Sequence, residues 1–544
     1  MSSQDQRPFA ISLDVGTSRA NHTGSWRTER PEYVRHLPPC NSVCPAAEDV
    51  QGWLYHAESG DYEAAWRTIV ADNPFPAVMG RVCYHPCETA CNRAQLDEAV
   101  GINSVERFLG DLAIERGWAL PDAAADTGKR VMVVGAGPSG LAAAYHLRRL
   151  GHEVHIHDAA DAPGGMMRYG IPRYRLPREV LDAEIDRIRA LGVRMHLGAH
   201  VVDLRAAMRD GGFDAAFLAV GAGVGRNANI PAGAAAKVID AVAFLHEMEG
   251  AEPPQIGRRV VVYGGGDTAV DAARTAKRLG GEPLIVYRRT RDRMPAQDFE
   301  VREAEEEGVL VRWLSTIQHV DVGEITVERM ALDDAGFPQP TGETETLEAD
   351  TVILALGQDT DLSLVRDLDG VEVADGVVRV GPDMMTGHAG VFAGGDMVPA
   401  ERTVTTAVGH GRLAARHVDA WLRGTTHTPA QRPPVAGFAS LNTWYYSDAS
   451  RTVRPHLEAA RRASTFAEVV EGLDASNALF EARRCLSCGN CFECDNCYGV
   501  CPDNAVIKLG PGKGYAFNLD YCKGCGVCVT ECPCGAITTV PEPE

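Results

Sequence analysis

The sequence predicts an α/β protein: two doubly wound units in the middle of the chain, a cysteine-bearing helical module before them and a small cysteine-bearing α+β module after them. Three observations predict it. The 16 cysteines fall into two groups, five between Cys40 and Cys91 and eleven from Cys485 onward, with none between. The cysteine-free middle twice repeats strand, glycine turn, helix, strand, in RVMVVGAGPSGLAAAYHLRRLGHEVHIHD (130–158) and RRVVVYGGGDTAVDAARTAKRLGGEPLIVYRR (258–289). The tail repeats C-x-x-C-x-x-C-x-x-x-C-P, and a 544-residue chain has room for three or four domains at roughly one per 150 residues.

Composition narrows the class. A 45% hydrophobic and 23% charged chain is an ordinary folded one, and a net charge of -21 disfavours both a nucleic-acid footprint, which needs a clustered basic surface, and anionic membranes. MSSQDQRPFAISLDVG lacks a basic stretch followed by an apolar one, and no run of roughly 18 apolar residues occurs, so a cytoplasmic protein without membrane insertion is expected. Reducing conditions there keep thiols free to bind metal rather than each other.

Element by element, Cys40-x-x-x-Cys44-Pro and Cys83-x-x-x-Cys87-x-x-x-Cys91 open the chain with five thiols, one more than a single four-iron cluster takes. DLAIERGWALPDAAADT, between Gly110 and Gly128, reads as a linker. Gly135, Gly137 and Gly140 then form G-x-G-x-x-G after a strand. That turn lets backbone amides and a helix N-terminus approach a pyrophosphate, and Asp158, closing the next strand, can accept from ribose hydroxyls. In the second unit Gly264, Gly266 and Ala269 carry the same turn, with Asp267 and Thr268 at the helix start. Its next strand ends in Tyr287-Arg288-Arg289 instead of an acid. Arg288 and Arg289 suit a 2′-phosphate, which favours NADP(H) over NAD(H); the competing reading makes them surface cations. DAAFLAVGAG and DTVILALGQDTD end in glycine turns where the chain passes between nucleotide units, and GVFAGGDMVPAERTVTTAVGHGRLAARH puts Gly394, Gly395 and Asp396 ahead of a helix.

The middle block thereby resembles the two-dinucleotide-binding flavoprotein superfamily. The resemblance implies FAD with its ribityl-phosphate side at Gly394, Gly395 and Asp396, a matching glycine pair at Gly164 and Gly165 in DAPGGMMRYGIP, and an NADP domain inserted within the FAD domain. Hydride transfer to flavin needs stacking and exclusion of water, so no catalytic side chain is expected, and His410 is expected to pack or face solvent on its helix. The expected divisions are 1–127 (helical iron–sulfur), 128–240 and 352–428 (FAD), 241–351 (NADP), 429–480 (linker and helix) and 481–544 (ferredoxin).

The tail resembles bacterial two-cluster ferredoxins, in which three close cysteines bind one cluster and the proline-linked fourth ligates the other. That rule assigns Cys491, Cys494, Cys497 and Cys532 to one [4Fe–4S] cluster and Cys522, Cys525, Cys528 and Cys501 to a second, with Cys534 left over as a thiol. A zinc-knuckle docking scaffold is the alternative of another class, disfavoured by the doubled C-P register.

GRVCYHPCETACNRAQLDEAVGINSVERFLGD is similar to the small subunit of glutamate synthase and the N-terminal part of dihydropyrimidine dehydrogenase. These place an EAxRCLxC pair just before C-x-x-x-C-P. RPEYVRHLPPC holds no such pair, yet ALFEARRCLSC appears at 478–488. The resemblance implies a relocated pair: Cys40 and Cys91 share a cluster with Cys485 and Cys488, from the same chain or a second copy, while Cys44, Cys83 and Cys87 take Glu106 as fourth ligand. Two alternatives stay open. Cys485 and Cys488 are unligated thiols, or Glu106 faces water opposite the stripe of Val105, Phe108, Leu109 and Leu112.

Hydride carriers move two electrons, clusters move one and flavin does both. The expected function is an oxidoreductase subunit, in an oligomer or hetero-complex, passing electrons between NADP(H), through FAD and [4Fe–4S] clusters, and ferredoxin or a 2-oxoacid:ferredoxin oxidoreductase. The alternative is the small subunit of NADPH-dependent glutamate synthase, feeding a separate large subunit that carries glutamine hydrolysis and the FMN site.

Overall fold

The computed structural model describes residues 22–226, 230–233 and 236–543, so the first 21 residues of the expected N-terminal division, including MSSQDQRPFAISLDVG, lie outside the described residues. Strand β1 (Glu29–Tyr33) leads into helices of which the longer ones are α1 (Val50–Glu58), α2 (Tyr62–Val70), α3 (Pro76–Val82) and α4 (Ile102–Arg116). Asp49 and Asp61 cap α1 and α2 by accepting the amides of Gly52 and Ala64. Trp53, Leu54, Ile69, Val105 and Leu109 close a core that also takes in Cys40, Cys44, Cys87, Cys91 and Cys485. α3 and α4 cross at small residues: a Cβ on Gly110 would lie 2.3 Å from the Ala77 amide nitrogen. α4 runs on to Gly117, whose φ of 64° stops it. Asp111–Arg116, expected as linker, is therefore helix, because buried Leu109 and Ala113 continue the 3.6-residue stripe.

The chain then builds β2 (Arg130–Val134), α5 (Pro138–Arg149), β3 (Glu153–His157), α6 (Arg178–Ala190), β4 (Arg194–His196) and β5 (Ala215–Leu218). It moves to a second unit: β6 (Val238–Asp240), β7 (Arg259–Tyr263), α7 (Asp267–Arg278), β8 (Glu282–Val286), β9 (Leu310–Arg312), an antiparallel trio β10 (Ser315–Asp321), β11 (Glu324–Leu332) and β12 (Pro338–Glu348), and β13 (Thr351–Leu354). It returns with β14 (Val391–Ala393) and the long helix α8 (Val404–Leu422). Two five-stranded parallel sheets result, ordered β14-β5-β2-β3-β4 and β9-β8-β7-β13-β6. Because β14 pairs with β5, the first sheet is completed only after the second is made, which is the expected insertion. β5 and β14 are buried throughout, as strands covered on both faces must be. The boundaries expected at 240/241 and 351/352 move: β6 and β13 pair with each other in the second sheet, Val352 opposite Val238. Only glycine turns marked the crossings in the sequence, and β6 carries none.

The final segment holds α9 (Ala475–Ala482), β15 (Val506–Lys508), β16 (Tyr515–Phe517) and β17 (Ile537–Pro541). β17 pairs antiparallel with β1, from Glu29 opposite Pro541 to Tyr33 opposite Ile537, so residues 29–33 belong to the C-terminal module rather than to the N-terminal division expected for them. α9 crosses the boundary expected at 480/481 and inserts Ala482 into the helical core. Beside it the buried Arg484 donates to the carbonyls of Glu98, Ala99 and Ala449 and pairs with Glu481 and Asp97, stapling the two ends of the chain together. Among the described residues no helix is long and apolar enough to cross a membrane.

Candidate functional site

At the first glycine turn a Cβ on Gly140 would lie 1.9 Å from the Gly135 carbonyl oxygen, and one on Gly165 (φ 51°) 2.7 Å from the Gly137 Cα. Only bare backbone fits at either place. Asp158 accepts the Ala136 amide at 2.5 Å and the Ala160 amide at 2.7 Å. It thus anchors the turn and still keeps lone pairs for a hydroxyl donor. The Gly395 amide donates to His410 Nδ1 at 3.2 Å, tying the Gly394–Gly395–Asp396 turn to α8; burial lowers the His410 pKa and keeps that nitrogen an acceptor. His410 packs, as expected of it, in this specific way.

A cavity of about 440 Å³ joins three parts of the molecule. Gly135, Gly137, Asp158, Gly165, Gly395 and Asp396 border it from the first sheet, Asp267 and Thr268 from the start of α7, and Val82 and Tyr84 from either side of Cys83. Gly140, Gly164 and Gly394 stand behind this lining: Gly164 donates to the Ala136 carbonyl and Gly394 to that of Leu218. Ser139, at the start of α5, borders the cavity with a buried Oγ that has no partner within the protein. An orphaned hydroxyl beside free helix-terminal amides fits a phosphate-bearing cofactor.

A neighbouring cavity of about 590 Å³ is bordered by Gly264, Gly266, Thr268, Arg288 and Arg289, and Thr268 faces both spaces. Among the described residues neither Arg288 nor Arg289 has an ion-pair partner, and Arg289 Nε is buried without a hydrogen bond. By contrast Arg291, two residues on, is paired with Glu305 at 2.9 Å. Two uncompensated guanidinium groups in a nucleotide-sized hollow fit a 2′-phosphate better than they fit solvated surface. Asp267 is occupied otherwise: its carboxylate accepts the Gln297 amide at 2.9 Å and the Tyr84 hydroxyl at 3.0 Å. The loop carrying Cys83 is thereby hydrogen-bonded to the mouth of the second nucleotide unit.

The thiols fall into four sets. Cys40, Cys91, Cys485 and Cys488 border one small cavity together, all from one chain. Burial first, and then its three thiol neighbours, push the Cys40 thiol well up. Cys44 and Cys83 face Glu106, which is only 6% exposed and so does not face water, and Cys87 neighbours both of those thiols. Glu48 is buried beside it, and one Asn73 amide reaches both, at 2.9 Å to Glu48 and 3.2 Å to Glu106. Burial raises the pKa of both acids, that of Glu48 to about 7. Cys491, Cys494, Cys497 and Cys532 lie close enough for one thiolate to push up the pKa of the next, and Cys501, Cys522, Cys525 and Cys528 border a further cavity. Cys534 Sγ is 3.8 Å from Cys532 Sγ. A backbone N–H points at sulfur in every set: that of His85 donates to Cys83 at 3.3 Å, Ser487 to Cys485, Ala536 to Cys532 and Ala505 to Cys501. Such bonds stabilise thiolate charge and tune cluster potential.

Four residues were not foreseen: Ser139, Tyr84, Glu48 and Tyr33, whose hydroxyl lies 3.3 Å from Cys497 Sγ. Ser139 had a signal in its place after Pro138 at a helix start, and Glu48 in its spacing from Cys44. The two tyrosines had none.

Residues 129–411 match the pyridine nucleotide-disulphide oxidoreductase family, 33–118 the 4Fe-4S cluster domain II of dihydropyrimidine dehydrogenase, and 515–538 a 4Fe-4S binding domain. The NADP(+)-dependent formate dehydrogenase subunit beta of Moorella thermoacetica is 36% identical over 83% of this chain and 70% of its own. The NADPH-Fe(3+) oxidoreductase subunit beta of Geobacter sulfurreducens is 33% identical over 84% and 75%, and the glutamate synthase [NADPH] small chain of Azospirillum brasilense 33% over 72% and 88%. The chain belongs to the pyridine nucleotide-disulphide oxidoreductase family, extended at both ends by 4Fe-4S modules, and is an NAD(P)-dependent FAD and iron–sulfur electron-transfer oxidoreductase.

Proposed function

We propose that this chain is the electron-input or electron-output subunit of a redox complex, moving electrons between NADP(H) and a ferredoxin or a partner's catalytic subunit through FAD and four [4Fe–4S] clusters. One observation carries the reading: a single cavity is bordered by flavin-type glycine turns, the start of the second nucleotide helix and the loop around Cys83. FAD, when bound, converts the electron pair of a hydride into single electrons. The protein's own residues hold and orient. Thr268 and the first amides of α7 receive the nucleotide pyrophosphate, Arg288 and Arg289 its 2′-phosphate, and Ser139 Oγ a flavin phosphate oxygen. Gly137 and Gly165 give backbone contact, Asp158 takes a ribose hydroxyl, and Asp396 stands at the ribityl side. Tyr84, held by Asp267, keeps the Cys83 loop closed over the cavity and excludes water from it.

Cluster ligands follow the four sets: Cys44, Cys83, Cys87 and Glu106 nearest the cavity; Cys40, Cys91, Cys485 and Cys488; and the two sets of the C-terminal module. That module exposes Cys491, Cys494 and Cys525, which makes it the face for a one-electron partner. The formate dehydrogenase and glutamate synthase relatives are named as subunits or chains of larger enzymes, which supports a partner of that kind.

The test is anaerobic. NADPH mixed with the holoprotein should bleach the flavin and reduce added ferredoxin, and NADH should do so far less well. Flavin that NADPH leaves oxidised, or bleached flavin with the iron–sulfur clusters still oxidised although dithionite reduces them, contradicts the proposal.

A further inference from the structure

We infer that His155, His157 and His196 form a binding site for a divalent metal ion of the zinc class, apart from the flavin and iron–sulfur centres. His155 and His157 alternate on β3 and so share one face of the first sheet; His196, on the edge strand β4, stands directly opposite His157. One ring nitrogen from each lies within 4.8 Å of the others. The rings stack, His157 on His196 at 4.5 Å between centroids and His155 on His196 at 5.2 Å, while Phe213 meets His155 and His157 edge-on as an apolar floor.

His155 Nε2 is 2.9 Å from Glu153 Oε1 and its Nδ1 is 3.0 Å from His196 Nε2, so the tautomer that donates to the carboxylate turns the Nδ1 lone pair inward. A carboxylate gripping the outer N–H of a histidine is the support that metal-binding imidazoles use. His157 Nε2 is buried with no hydrogen-bond partner in the protein. A buried orphan nitrogen beside two convergent imidazoles is what a cation would satisfy. His196 is exposed and gives the ion its way in. The charged groups around the site are Glu153, Arg130 at 3.3 Å from it and Arg194 at 2.9 Å, so Glu153 offsets the arginines. Burial and the neighbouring rings lower the pKa of His157, to about 4, and of His196, which leaves their lone pairs free near neutrality. Three imidazoles without a thiolate suit Zn²⁺ or Ni²⁺ rather than Ca²⁺ or Mg²⁺. Bound there, the ion would clamp the three-residue edge strand β4 to β3.

The experiment is calorimetric titration of Zn²⁺ into anaerobic holoprotein freed of loose metal, with iron content assayed before and after so that displacement from thiols is seen. One site is expected, weakened at least tenfold in both His157→Ala and His196→Ala with flavin absorbance and iron unchanged. The exposed His196 variant keeps the test open should His157→Ala fail to fold. No saturable binding by the natural protein, or binding equal in the natural protein and His196→Ala, overturns the inference.

Discussion

Arg289 Nε, buried and without a hydrogen bond, is the sharpest single-residue pointer to what the second cavity holds. A charged hydrogen bond contributes about 1.5–3 kcal/mol, so Arg289→Ala should raise KM for NADPH about tenfold to a hundredfold and leave NADH nearly unchanged; equal losses for both nucleotides would count against a phosphate-reading role. His146 yields a second expectation. Burial, with Arg412 nearby, lowers its pKa from 6.5 to about 3 while Nε2 meets the Asp72 carbonyl at 3.0 Å. Between those values the unfolded chain binds a proton that the folded one refuses, so stability falls as pH drops below about 6.5. Melting temperature followed from pH 7 to 4 should decline less steeply in His146→Gln, whose amide can still donate to Asp72; parallel curves would assign the acid sensitivity elsewhere. Cysteines, glycines and arginines were legible in the sequence because their chemistry fixes their spacing. Tyr33 and Tyr84 were not, since each meets its partner across hundreds of residues or between domains.

At the scale of elements, α3 and α4 cross closely enough for Gly110 to touch Ala77, so Gly110→Ala forces the two helices apart. An overpacking cost of about 1–3 kcal/mol is expected, read as a lowered midpoint in denaturant, together with loss of iron from the set at Cys83, which follows α3 directly. An unchanged midpoint would mean that the crossing adapts freely. Strand–turn–helix units could be read from alternation and glycine turns. β6 could not: three residues, Val238–Asp240, with no turn beside them, become strand only because β13 lies alongside. The length of α4 was missed for the opposite reason, its polar Asp111, Glu115 and Arg116 hiding an apolar stripe that tertiary packing continues.

For the whole molecule, the two termini are built into each other. β1 completes a ribbon with β17, Tyr33 reaches Cys497, and α9 with Arg484 delivers Cys485 and Cys488 to Cys40 and Cys91. The sequence showed spare thiols at both ends and left open whether one chain or two would unite them; closure of the chain on itself depends on the buried Arg484 network, whose carbonyl partners no motif announces. The glycine turns, Arg288, Arg289 and the four sets of thiols are thereby held in one continuous body. The measurement that tests this most directly is iron and inorganic sulfide per FAD in anaerobically purified natural protein and in the double variant Cys485→Ser, Cys488→Ser. Four clusters are expected in the first and three in the second, with FAD retained in both; equal iron and sulfide in the two proteins would contradict a cluster shared between the two ends of the chain.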